Sequence, residues 1–162
     1  MILARALLGA VLVTSAFPAI ASDYVTIRRE IVVDRPADAV WQRVGDYCAI
    51  GEWMKIKCEL VSGSGDVGTI RRLADKIIEP MVARTPHSYT YSQLAGDMVG
   101  VDYHGTLAVE PEAAGRSKII YTVVYDAALL PSDEARATAP ERIGQRFQTA
   151  IETMKGLAEA KE

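Results

Sequence analysis

Cys48 and Cys58, the two cysteines of the chain, frame the stretch DYCAIGEWMKIKC. Their type and spacing allow four chemistries: a metal site, a redox pair, a structural disulfide or two buried thiols. A metal centre needs further ligands close by. The two histidines, His87 and His104, lie far off in sequence, so no metal is expected. A CxxC redox motif is absent. The choice between a bridge and free thiols then turns on the compartment. The other candidates for chemistry are Glu79, Asp126, Arg71 and a set of tyrosines that includes Tyr89, Tyr91 and Tyr103. Carboxylates can move protons, and a guanidinium or a phenol can stabilise an oxyanion, if one cavity gathers them.

The N-terminus speaks to the compartment. MILARALLGAVLVTSAFPAIAS begins with Arg5, runs on through apolar residues and reaches Ala19-Ile20-Ala21. That order matches a signal peptide cleaved after Ala21. The apolar run is about 12 residues, against about 20 for a membrane span. Residues 1–21 are therefore expected to be a signal peptide and residues 22–162 a single domain, periplasmic or secreted. No integral membrane segment is expected after cleavage. In an oxidising compartment the favoured reading is a Cys48–Cys58 disulfide, with two reduced buried thiols as the alternative. The chain carries 18 basic and 21 acidic side chains, a net charge of −3. Such mild acidity argues against a nucleic-acid partner, which requires a basic face.

The elements that must position these residues read as follows. YVTIRREIVVD, residues 24–34, alternates and is rich in β-branched side chains, the signature of a strand. RPADAVWQRVGDY then shows helical spacing at Ala37, Val40, Trp41 and Val44, with Asp34 as a cap and Pro36 in the first turn. A second short helix is expected through Ile50 and Trp53. Residues 56–75 read as a hairpin turning at Gly63–Asp66. Four more strands are expected at 76–85, 87–94, 101–110 and 117–127. Pro80 implies a bulge or an edge there. Ile143, Phe147, Ile151 and Met154 form one stripe of a long C-terminal helix. Pro140 is expected in the first turn of that helix. Trp41 and Trp53 are expected in the core.

The segments IVVDRPADAVWQRVGDY, GEWM, CELVSGSGDVGTIRRL, IIEPMV, SYTYSQ and VDYHGTLAVEP resemble the SRPBCC superfamily in order and nearly throughout the mature chain. That superfamily includes START-like, birch-pollen-allergen-like and polyketide cyclase/dehydrase-like domains. The resemblance implies an α+β helix-grip fold: a curved antiparallel sheet of about seven strands wrapped around a long C-terminal helix, with two short helices after strand 1. It also implies a cavity between helix and sheet. Similarity to the abscisic-acid receptor branch implies that Arg71, Glu79, Tyr91, Tyr103 and Asp126 face inward. Strand alternation carries Met81 with Glu79 and Tyr89 with Tyr91. The expected ligand-binding set is thus Arg71, Glu79, Met81, Tyr89, Tyr91, Tyr103 and Asp126. Tyr121 and Tyr125 could join an aromatic lining or pack across strands. His104 lies on the face opposite Tyr103.

A buried carboxylate is tolerable beside a guanidinium and hydroxyls. Arg71 and Glu79 could orient a ligand, or they could simply close adjacent strands. The favoured function is binding of a hydrophobic small molecule such as a lipid, polyketide or aromatic. The alternative is a cyclase or dehydratase in which Glu79 or Asp126 moves protons. A third reading is an interaction protein with a filled core. No nucleophile elbow, phosphate loop or dinucleotide fingerprint is present, and no cofactor is expected.

Overall fold

The structure, a computed structural model, describes residues 21–160. The segment expected to be a signal peptide, all but its last residue, lies outside the described residues. Seven strands form one antiparallel sheet: β1 (Tyr24–Val33), β2 (Cys58–Ser62), β3 (Ile70–Leu73), β4 (Ile77–Thr85), β5 (Ser88–Ser92), β6 (His104–Pro111) and β7 (Ser117–Asp126). Two short helices, α1 (Ala37–Val44) and α2 (Ile50–Trp53), follow β1, and one long helix, α3 (Asp133–Glu159), ends the domain. The order across the sheet is β1-β7-β6-β5-β4-β3-β2. All neighbours except β1 and β7 are consecutive in sequence. Short turns between consecutive strands produce such a meander, and α3 covers its apolar face. This is the helix-grip architecture implied by the resemblance.

The stripe on α3 is the reason it lies there. Ile143, Phe147, Ile151 and Met154 are all buried, joined by Ala139, Ala150 and Ala158. At the C-terminal end, Lys155 Nζ donates to the Val32 carbonyl at 2.7 Å, and Glu159 Oε1 accepts from Asp34 N at 2.8 Å. Midway, Gly144 sits against Arg29 of β1; a Cβ there would stand 2.3 Å from Nη2. The helix is therefore drawn tight against the β1 edge of the sheet. Towards β3 and β4 it stands off, and the cavity described below fills that space.

Two local expectations need correction. Pro140 is not in the first turn of α3; the helix begins at Asp133, and Pro140 lies inside it. The two turns ahead of the proline persist because Ser132 Oγ accepts from Ala135 N at 3.1 Å and Asp133 and Glu134 face the positive end of the helix dipole. Asp34 does not cap α1. Pro36 occupies the N-cap position, without a side-chain hydrogen bond, and the Asp34 amide is held by Glu159 instead. Pro80 lies next to a register shift between Met81 and Ala83, the bulge that a missing N–H invites.

Cys48 and Cys58 form a disulfide, with Cα atoms 5.5 Å apart. The bridge ties the loop after α1 to the start of β2 and encloses α2. Closing a loop of this length contributes roughly 3 kcal/mol in the chain-entropy account. Thiol titration of the denatured, unreduced protein is expected to find no free thiol, and reduction is expected to lower Tm. Two titratable thiols without reductant would remove the bridge from this account.

Candidate functional site

Arg71 is the most unusual side chain in the core: fully buried, at 0% exposure. Strand pairing explains how it is held there. Arg71 of β3 lies directly opposite Glu79 of β4 in the antiparallel register. Arg71 Nε donates to Glu79 Oε2 at 2.9 Å, and Nη2 stands 2.7 Å from the same oxygen, too bent for a hydrogen bond. Nη1 donates to the Tyr47 carbonyl at 2.7 Å and makes a long contact, 3.5 Å, with the Tyr89 hydroxyl. Aromatic faces take up the rest. The guanidinium carbon is 4.2 Å from the Tyr47 ring centre and 4.6 Å from that of Tyr91. Such contacts attract a cation electrostatically and gain strength where water is excluded. Burial opposes the Arg71 charge, but Tyr89 and Glu79 outweigh it and hold its pKa well above the ordinary value.

Tyr47 clamps this pair. Its carbonyl takes Arg71 Nη1, while its hydroxyl donates to the backbone carbonyl of Glu79 at 3.0 Å. On the far side, Gln93 Nε2 donates to Glu79 Oε1 at 3.3 Å, and Gln93 Oε1 accepts from Met98 N at 2.7 Å. The loop after β5 is thereby fastened to the carboxylate.

A cavity of about 610 Å³ opens above Glu79, between α3 and the β3–β5 half of the sheet. That volume falls within the range of small-molecule sites. Its floor includes Glu79, Tyr91, Gln93 and Tyr103; its walls include Trp53, Leu73, Ile77, Met98, Ile143 and Phe147. The Tyr91 hydroxyl lies 2.7 Å from that of Tyr121 and 3.3 Å from that of Tyr103. Gly105, opposite Tyr91 on β6, makes room for this ring; a Cβ there would stand 2.4 Å from its hydroxyl oxygen. Tyr121 stacks on Phe147 of α3, ring centres 4.1 Å apart, which couples the tyrosine cluster to the helix. The Trp53 indole N–H is buried and finds no acceptor among the described residues.

The expected site residues divide into three groups. Glu79, Tyr91 and Tyr103 line the cavity, and Arg71 lies behind Glu79. Met81 and Tyr89 are inward but border a separate pocket of about 140 Å³ with Trp41 and Tyr47. Asp126 does not join the cavity. Its Oδ1 accepts from Asp23 N at 2.9 Å and Ala128 N at 3.0 Å, so it caps the short turn after β7. The inward face of β7 carries Ile119, Tyr121, Val123 and Tyr125, and Asp126 belongs to the other set. Trp53 is core and cavity wall together; Trp41 is half-buried rather than core. His104 Nδ1 lies 3.2 Å from the Asp102 carbonyl at the surface. The cavity residues missing from the expected set are Gln93, Trp53 and the α3 face around Phe147; Tyr121, weighed above as a possible lining residue, supports the cluster from behind. Tyr121 was legible as a strand tyrosine; the helix face was not, because its partner surface lies across the fold.

Fold and cavity together define a helix-grip protein with an internal ligand-sized chamber. The chain belongs to the family described as polyketide cyclase / dehydrase and lipid transport, whose model matches residues 24–159. The SRPBCC resemblance drawn from the segments above is therefore right. Among solved structures, the chain is similar to the Zhui aromatase/cyclase from a Streptomyces species, with 18% identity, TM-score 0.70, and 85% of this chain and 94% of that one covered. It is similar to a truncated norcoclaurine synthase from Thalictrum flavum, with 16% identity, TM-score 0.70, and 90% and 100% covered. A protein from Nitrosospira multiformis matches at 21% identity, TM-score 0.68, with 82% and 94% covered. At these identities the likeness is one of fold. A search of curated proteins finds no match. Among the described residues, no cluster of three or more His, Cys, Asp or Glu side chains could hold a metal, and no helix is long and apolar enough to cross a membrane.

Burial pushes the phenols of Tyr91, Tyr103, Tyr121 and Tyr47 up from the ordinary value. The sign of the linkage follows. Below the unfolded value, about 10, these groups leave stability independent of pH. Above it, the unfolded chain sheds phenolic protons that the folded chain keeps, so stability falls as pH rises. Alkaline titration followed by phenolate absorbance is expected to show these tyrosines ionising only with unfolding. If all seven tyrosines titrate smoothly near pH 10 in the folded protein, the cluster is not buried as described.

Proposed function

We propose that this chain is an exported binding protein that holds a hydrophobic small molecule, a lipid, polyketide or aromatic, between α3 and the sheet. The observation that carries the reading is the chamber of about 610 Å³, apolar on its walls and polar at its floor. A few fixed polar groups in an apolar chamber orient a ligand without demanding a reaction. Here those groups are the Glu79 carboxylate, with Arg71 behind it, and the Tyr91 and Tyr103 hydroxyls. The family's description joins lipid transport to cyclase chemistry, which agrees with either use of such a chamber. Export rests on the N-terminal pattern, and the disulfide accords with an oxidising compartment.

One observation favours a second reading, a cyclase or dehydratase. Glu79 faces the cavity beside phenols held protonated by burial, a base next to hydrogen-bond donors. A base could take a proton from a bound ketone while a phenol steadied the enolate oxygen.

Two experiments separate these readings from each other and from a filled core. Organic extraction of the purified protein, followed by mass spectrometry, is expected to recover a stoichiometric apolar molecule; none, with no uptake of added lipid, would leave binding without support. Glu79→Gln should lower Tm, because removing one partner of a buried ion pair costs several kcal/mol, roughly 3–5. The variant should still bind an apolar ligand. Wild-type turnover of a polyketide-like substrate that vanishes in folded Glu79→Gln would overturn the binding reading in favour of the enzyme.

A further inference from the structure

The mouth of the cavity has a character that its interior does not. Lys55, Lys76, Arg142 and Arg146 border it, all exposed, and among the described lining residues Asp97 is the exposed carboxylate beside them. Among the described residues none of these four cations has a salt-bridge partner, although Arg43, Lys57, Arg72, Arg84, Arg136 and Lys155 all do. The chain as a whole is acidic, at −3, so the concentration of free positive charge here is not a general property of its surface. Arg142 and Arg146 are one helical turn apart on α3, on the face turned to the cavity. Lys55 and Lys76 come from two separate loops, after α2 and between β3 and β4. Three elements thus converge on one opening.

The backbone at these loops is held in a costly conformation. Lys55, Ala74 and Asp75 have φ of 55°, 47° and 60°, in the left-handed region that side chains other than glycine rarely occupy. Strain of this kind gathers at sites where the surrounding structure must present particular groups. The disulfide loop presents Lys55, and the tight turn closed by Lys76 N donating to the Leu73 carbonyl at 3.1 Å presents Lys76. Inside, Trp53 adds a buried indole N–H without an acceptor among the described residues. The Arg146 charge is felt within the chamber, where it pulls against the rise of the Tyr103 phenol.

We infer that the ligand is an anionic amphiphile: an apolar body lies in the chamber, and a carboxylate or phosphate head rests at the mouth among Arg142, Arg146, Lys55 and Lys76. The inference rests on the binding reading above and specifies its ligand. A neutral hydrophobic guest would leave four cations around its entrance with only the Asp97 carboxylate near them. A headed guest neutralises them and gains bidentate contacts from the arginines.

The test is a titration of the full mature protein with palmitate, hexadecyl phosphate and hexadecanol, read by the fluorescence of Trp53 in the chamber wall. The three probes share one tail and differ in the head. Palmitate or hexadecyl phosphate is expected to bind about tenfold more tightly than hexadecanol, the factor supplied by ~1.4 kcal/mol. Preference for either charged head supports the inference, and their order tells carboxylate from phosphate. Added salt should shrink the preference, because exposed charges are screened. In the double variant Arg142→Glu/Arg146→Glu the preference should fall to about one, with circular dichroism and Tm unchanged, since both side chains are exposed. Equal affinity for all three probes would overturn the charged-head inference and leave the binding reading standing. Failure of all three to bind would overturn the amphiphile inference, and the binding reading falls with it if organic extraction also recovers no guest.

Discussion

Burying the Arg71 guanidinium in the core is the constraint around which this domain is arranged. An isolated charge at that depth would cost more than the whole folding free energy of an ordinary domain. Three elements supply the compensation. β4 brings Glu79 opposite Arg71, the loop after α1 brings the Tyr47 carbonyl and ring, and β5 brings the faces of Tyr89 and Tyr91. Each contact also fixes a strand register or a loop position, so the charge acts as a keystone for the β3–β5 half of the sheet. Salt bridges of this kind often add little net stability over an apolar core of equal volume. What they add is a defined arrangement, since the alternative partners for a buried guanidinium are few.

That arrangement has a consequence for the cavity. With Arg71 occupied by Oε2 of Glu79, the second carboxylate oxygen keeps only the long contact to Gln93. A polar group is thus left at the floor of an apolar chamber with its charge already balanced. The tyrosine cluster has the same quality: its hydroxyls bond to one another, and burial keeps them protonated. The chamber can accept an apolar guest and orient it without leaving a bare charge in its interior. The free charge has been placed at the mouth instead, where water screens it.

Strand periodicity was enough to place much of this. Alternation put Glu79 with Met81 and Tyr89 with Tyr91, and each pair does share an inward face. The sequence motifs named the superfamily, and with it the sheet, the helix and the chamber. Four features lay beyond such reasoning, each for a physical reason. Asp126 ends its strand, where a carboxylate finds free amides to cap, and a one-residue change of face follows. Met81 and Tyr89 point inward, yet the cation and its aromatic stack divide the interior, and they border the smaller pocket. Pro140 breaks a propensity rule that a serine cap and two acidic residues upstream override. The cationic mouth assembles from α3 and two loops far apart in sequence, a juxtaposition no local pattern encodes.

The central claim is that Arg71 and Glu79 are one unit, each tolerable in the core because of the other. A double-mutant cycle on stability tests it most directly, with Arg71→Met, Glu79→Gln and the double variant unfolded in urea under oxidising conditions. The account predicts that each single change destabilises by roughly 3–5 kcal/mol. The double variant should then lose far less than the sum, with a coupling of at least about 1 kcal/mol. Additive losses would contradict the account and reduce the pair to two independent side chains that happen to meet.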